Sequence, residues 1–164
     1  MQTSIKTSIL FIFLIALVAM PLCTLAGERI DLVDTKTGQP LKLDAAQFDT
    51  EAARNFLATG QNAYIGKADA VEQGKKLYQL YSCTQCHGSR AQGQTAVELT
   101  GPKFNHAKSA EDKGMFEIIW AGTNAGMSGK GRGVMDPNDH KNGLSPDEVL
   151  KVIAWIRSQG PAAK

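Results

Sequence analysis

The chain has 164 residues, of which 43% are hydrophobic and 21% charged, with a formal charge of +2 at pH 7. That balance fits one modest folded domain and carries no one-sign field large enough to steer a partner over long range. No basic stripe with interleaved aromatics is present, so nucleic acid is not an expected partner, and three cysteines are too few for a disulfide framework.

The first segment reads as an export signal. Lys6 precedes an apolar run from Ile9 to Met20, followed by Pro21 and the small-residue exit Thr24-Leu25-Ala26, and the first acidic residue is Glu28. The run is too short for the roughly 20 residues of a membrane-spanning helix. An uncleaved anchor is the competing reading, and no stable membrane insertion is expected. Cys23 follows Met20-Pro21-Leu22, which lacks the small residue expected beside a lipidated cysteine. Cleavage after Ala26 leaves 138 residues, one domain's worth, and deletes only Lys6 among the charges. In a bacterium the destination is the periplasm. The expected division is residues 1–26 as signal peptide, 27–66 as N-terminal arm and short helix, and 67–160 as the main domain.

After the signal, apolar residues are scattered at Ile30, Leu32, Val33, Leu41 and Leu43 around Gly38-Gln39-Pro40, which predicts an extended N-terminal arm with one turn. A short helix is expected from Thr50 to Ala58, started by Asp49 and stopped by Gly60, with Ala52, Ala53 and Phe56 buried. The next helix places Val71, Gly74, Leu77, Tyr78 and Tyr81 at helical spacing, with Asp69 as its cap and Glu72 three residues later. Gly74 costs about 1 kcal/mol against Ala in a helix interior, which calls for a packing reason such as another helix in close approach. Ser109 and Asp112 predict a helix from Ala110 to Ala121, with Met115, Phe116, Ile118 and Ile119 inside and Gly122 as its stop. The last helix has the strongest start: Ser145 as cap, Pro146 at the first position, Glu148 three residues after the cap, and Gly160-Pro161 at its end. No alternating strand pattern is visible, so the expected fold class is all-α. Trp120 and Trp155 read as packing residues, Trp155 fitting against the helix that contains Gly74.

The second helix runs into Cys83-Thr84-Gln85-Cys86-His87, the Cys-x-x-Cys-His string of c-type haem attachment. Two thiols at this spacing can add to the two vinyl groups of one haem, and the next residue offers an imidazole to the iron. A thioredoxin-like pair would need a strand before the motif, and a zinc site would need further Cys or His ligands at short spacing. His106 and His140 do not make such a pair. The reading is one covalent haem c, with Cys83 and Cys86 as attachment points and His87 as an axial ligand. The other ring nitrogen of a ligating His usually donates to a carbonyl. Pro102, in Gly101-Pro102, occupies the usual place of that carbonyl in small c-type cytochromes.

The opposite axial ligand is expected to be a thioether, since Met/His ligation raises the potential and suits a carrier of electrons. Met115 falls on a helix's apolar side and reads as core. Met127 and Met135 both lie in the glycine-rich stretch from Ala121 to Pro137. Met135 is preferred because it precedes the last helix by a short turn, and Met127 stands as its alternative. The same stretch contains Gly129-Lys130, but Gly131 follows and no strand precedes, so a phosphate-binding loop is rejected. Asp136, Asn138 and Asp139 offer oxygens for a calcium ion beside the haem, but they form no EF-hand loop and a polar turn is the better reading. No Ser/His/Asp set or paired carboxylates can be argued, so no enzyme chemistry is expected.

Several stretches together resemble the cytochrome cL family. They are Asp49 to Tyr64, Gly74 through Tyr78 to Gly88, Gly101 to Asn105, Asp112 to Ile119, Arg132 to Pro137 and Asp147 to Arg157. The likeness covers about residues 48 to 158, and Phe56, Thr59-Gly60 and Asn62-Ala63-Tyr64 are its most particular part. The resemblance implies a class I cytochrome c fold with His87 and Met135 on the iron. It also implies an electron-transfer protein that takes single electrons from a pyrroloquinoline quinone (PQQ) methanol dehydrogenase and passes them to a smaller cytochrome c. Two features depart from the family pattern: the charge is near neutral rather than acidic, and the loop from Gly122 to Gly133 is long, which suits cytochromes that serve lanthanide-dependent dehydrogenases. The competing functions are a general periplasmic shuttle to a terminal oxidase and the haem subunit of a sulfur-oxidising or peroxidase complex.

Overall fold

The computed structural model describes residues 29–161; the export signal expected at residues 1–26 lies outside them. Five helices follow in order: α1 (Glu51–Thr59), α2 (Ala68–Leu80), α3 (Thr84–His87), α4 (Asp112–Ala121) and α5 (Pro146–Gln159). Two 3-10 turns, Ala45–Gln47 and Ala107–Ala110, precede α1 and α4. Among the described residues there is no strand, only isolated bridges that pair Val33 with Pro40, Gly122 with Ser128 and Gly131 with Leu144. The all-α class is as expected. Among the described residues no helix is long and apolar enough to cross a membrane.

The centre of the fold is the crossing of α2 and α5. Gly74 sits at the crossing, where a Cβ would collide with the Lys151 carbonyl oxygen and lie 3.0 Å from Trp155 Cβ. The missing side chain lets the two backbones meet. Next to the crossing, the Tyr78 and Trp155 rings pack with centroids 4.3 Å apart. A second aromatic group runs from Phe56 to Phe116, centroids 4.8 Å apart, and on to Trp120 at 5.5 Å. It ties α1 to α4, and Met115 is buried beside it. Both tryptophans are packing residues, as read from the sequence.

The helix starts show where local signals suffice. α5 begins with the full capping box: Ser145 Oγ accepts from Glu148 N–H at 3.2 Å, and the Glu148 carboxylate accepts from Ser145 N–H at 2.8 Å. The other three starts are each displaced. α1 is capped by Thr50, not Asp49, because Thr50 has the extended backbone of a cap and its hydroxyl accepts from Ala53 N–H at 3.1 Å. The turn from Tyr64 to Lys67 starts α2 two residues early, with Lys67 at the cap position, so Asp69 lies in the first turn, where its charge complements the helix dipole. Ser109 is absorbed into the 3-10 turn before α4, where its carbonyl accepts from Arg157 at 2.8 Å.

The N-terminal arm is extended with one turn, from Asp34 to Gly38, and lies against α1 and α4. Ile30 N–H donates to the Leu57 carbonyl at 3.0 Å, while Leu32 and Phe48 enter the core. Val33 N–H donates to Glu117 on α4 at 2.9 Å.

Candidate haem-binding site

The Cys83–His87 segment hangs from the end of α2 and is held at both ends by one residue. The Tyr78 carbonyl accepts from Cys83 N–H at 3.1 Å, and the Tyr78 hydroxyl donates to the Gly88 carbonyl at 3.0 Å. Tyr78 is buried under Trp155, and burial pushes its phenol well above the ordinary range, so it remains a donor at any working pH. The motif thus sits on the α2–α5 crossing. Sequence periodicity marks Tyr78 as a core residue, but its second role depends on where the chain turns after Leu80.

Within the motif, Cys83 is half-buried, Cys86 is exposed and both are free thiols. Burial pushes the Cys83 thiol up, which disfavours the thiolate that disulfide exchange requires. His87 is buried, with Nδ1 2.7 Å from the Val97 carbonyl oxygen. The carbonyl expected from Pro102 is therefore supplied by Val97. The cause is the path of the intervening loop: Ala96 N–H donates to the Cys86 carbonyl at 2.9 Å and Gly93 N–H to the His87 carbonyl at 2.8 Å. These bonds fold residues 93–97 back along the motif and bring Val97, rather than Pro102, beside the ring. With Nδ1 directed at a carbonyl, Nε2 is the nitrogen left to meet a metal.

The glycine-rich loop carries the candidate thioethers. It leaves α4 at Gly122, turns back through Thr123 N–H to the Met127 carbonyl at 2.8 Å, and crosses the end of α4 with Lys130 and Gly131 bonded to the Ile119 and Trp120 carbonyls. Gly131 lies on the face of the Trp120 ring, where a Cβ would have no room. Arg132 pairs with Glu148 at 3.5 Å, which ties the loop to the first turn of α5.

The two candidate methionines differ in surroundings. Met127 packs against the core, whereas Met135 is 40% exposed, beside the equally open Val134. Asp136 follows as a turn residue: its Oδ1 accepts from Asn138 N–H at 2.9 Å and Asp139 N–H at 3.3 Å. Those turn amides hold its carboxyl below the usual range. Among the described residues no three His, Cys, Asp or Glu side chains gather as a ligand cluster.

Two buried carboxylates escaped the sequence reading. Asp147 on α5 accepts from the Thr50 hydroxyl at 2.7 Å, the Tyr64 hydroxyl at 2.6 Å and Lys151 Nζ at 2.8 Å, which pins the segment before the motif to α5. Glu117 on α4 is 1% exposed and takes Lys108 Nζ at 2.5 Å and Lys113 Nζ at 2.9 Å besides Val33 N–H. Its signal was present in the sequence as a lone Glu in an apolar run with a Lys four residues earlier.

The donor set fits a c-type haem: two free thiols in a Cys-x-x-Cys-His string, an imidazole fixed through Nδ1, and thioethers at Met127 and Met135 on the glycine-rich loop. Comparison with known proteins agrees. A family model for cytochrome c matches residues 71–160. Over 134 residues the chain is 34% identical to cytochrome c-L of Methylorubrum extorquens, a stretch that makes up 82% of this chain and 58% of that relative's length. Among solved structures, cytochrome cL from the marine methylotrophic bacterium Methylophaga aminisulfidivorans MPT superposes with a TM-score of 0.65 at 32% identity, covering 79% of this chain and 81% of that one. Cytochrome cL from Hyphomicrobium denitrificans gives 0.66 at 31% identity, covering 79% and 73%.

Proposed function

Since the chain belongs to the cytochrome c family, and within it to cytochrome cL, it is an electron-transfer protein rather than an enzyme, and we propose that it carries single electrons from a quinoprotein (PQQ) methanol dehydrogenase to a smaller cytochrome c. The observation that carries this reading is the pairing of the Cys83-to-His87 motif with a segment before it, Thr50 to Tyr64, anchored to α5 through Asp147. That segment is the most family-specific part of the sequence.

Cys83 and Cys86 would hold haem c through thioether bonds, and His87 and Met135, with Met127 as the alternative to Met135, would be the ligands of its iron. When bound, the haem provides a one-electron ferric/ferrous couple whose potential is raised by thioether ligation. The chain's own residues do the rest. Tyr78 fixes the ends of the attachment segment, Val97 orients the imidazole, and the loop from Gly122 to Met135 would bring the thioether to the iron. Residues 1–26 act as a cleaved export signal, which places the mature chain in the periplasm. Residues 27–66 form the arm and short helix, and residues 67–160 the haem domain.

The test is a donor comparison. With a formal charge near neutral, docking relies on apolar and hydrogen-bonded contacts, so the rate should fall only modestly as salt shortens the Debye length from about 10 to about 3 Å. Reduced quinoprotein methanol dehydrogenase should reduce this cytochrome with saturation at micromolar concentration, and much faster than an unrelated periplasmic dehydrogenase does. Equal rates from both donors would sink the dedicated partnership and favour a general shuttle.

A further inference from the structure

We propose that the N-terminal arm is a brace for the glycine-rich loop, and that Thr35 and Asn124 hold the loop's first half, from Gly122 to Ser128, in place. The Thr35 hydroxyl donates to the Gly122 carbonyl, at the point where the loop leaves α4. Asn124 Nδ2 donates back to the Lys36 carbonyl at 3.0 Å. These two bonds link segments almost ninety residues apart and grip the hairpin in which Gly122 bridges Ser128 and Thr123 N–H reaches the Met127 carbonyl.

The arm is built to be stiff where it touches the loop. Asp34 Oδ1 accepts from Lys36 N–H at 2.8 Å and Thr37 N–H at 3.1 Å, and Gly38 N–H closes the turn on the Asp34 carbonyl at 2.8 Å. Its base is fixed on α4 by Val33 N–H to the buried Glu117 and on α1 by Ile30 N–H to Leu57. The loop, by contrast, has glycine at positions 122, 126, 129, 131 and 133. Such a segment loses more backbone freedom on ordering than any other, so its order has to come from outside contacts. The brace supplies them to the first half of the loop, while the Gly131–Leu144 bridge and the Arg132–Glu148 pair hold the second.

The test uses the haem-loaded protein with Thr35→Val and Asn124→Ala, separately and together. Amide hydrogen exchange should quicken about tenfold at Thr123 and Lys130 in the double variant, with α5 amides such as Ile153 nearly unchanged, because two net hydrogen bonds are lost from the loop alone. Loop exchange that does not change, or equal acceleration in the loop and α5, would overturn the brace.

Discussion

Thioether sulfur is a weak neutral ligand, so the choice between Met135 and Met127 depends on which of them can leave its present contacts. Met127 is packed against the core and its backbone carbonyl holds the loop hairpin, whereas Met135 is open and its N–H rests only on the Gly131 carbonyl. Moving Met135 therefore disturbs less. In the ferric protein a weak sulfur-to-iron band near the red edge of the spectrum should be present in wild type, absent in Met135→Leu and retained in Met127→Leu, and the reduction potential of Met135→Leu should fall. Loss of the band in Met127→Leu alone would reassign the ligand. At this scale the sequence is legible where chemistry is local. Cys83, Cys86 and His87 lie within one turn and need no tertiary knowledge. Val97 in place of Pro102 was not legible, because it depends on the return path of residues 93–97, and neither was the second role of Tyr78.

Between elements, two buried carboxylates join what the chain separates. Burial pushes the Glu117 carboxyl up, but Lys108, Lys113 and Val33 N–H outweigh it and hold it below its ordinary value of 4.5. Asp147 is likewise driven up by burial and brought below 3.8 by Lys151, Tyr64 and Thr50. A depressed carboxylate contributes stability that is full above its unfolded pKa and is lost as pH falls through the folded one. The denaturation midpoint should therefore drop as pH is lowered from about 5 towards about 2, and Glu117→Gln, which should cost about 2 kcal/mol at neutral pH, should flatten that drop. An unchanged acid slope in the variant would contradict this. The helices themselves were readable from periodicity and caps. Their starts moved by one or two residues, at α1 because Thr50 rather than Asp49 took the cap, and at Ala68 and Asp112 because a preceding turn decided where the backbone became helical. Gly74 was readable as a close helix approach because a glycine in a strong amphipathic stripe has no local reason to be there.

At the scale of the whole molecule, one helix crossing supports the attachment motif, and an arm and a loop from opposite ends of the sequence close over α4. The all-α class follows from the absence of period-two patterning. The arm's grip on Gly122 and Asn124 does not, since polar residues in turns look alike in sequence whether they face water or another segment. The central claim is a haem held by two thioether bonds, and acid acetone extraction of the purified protein tests it most directly. Thioethers at Cys83 and Cys86 keep all of the haem with the polypeptide, and Cys83→Ala combined with Cys86→Ala should release whatever haem it binds. Haem that leaves wild-type protein for the solvent would contradict the account.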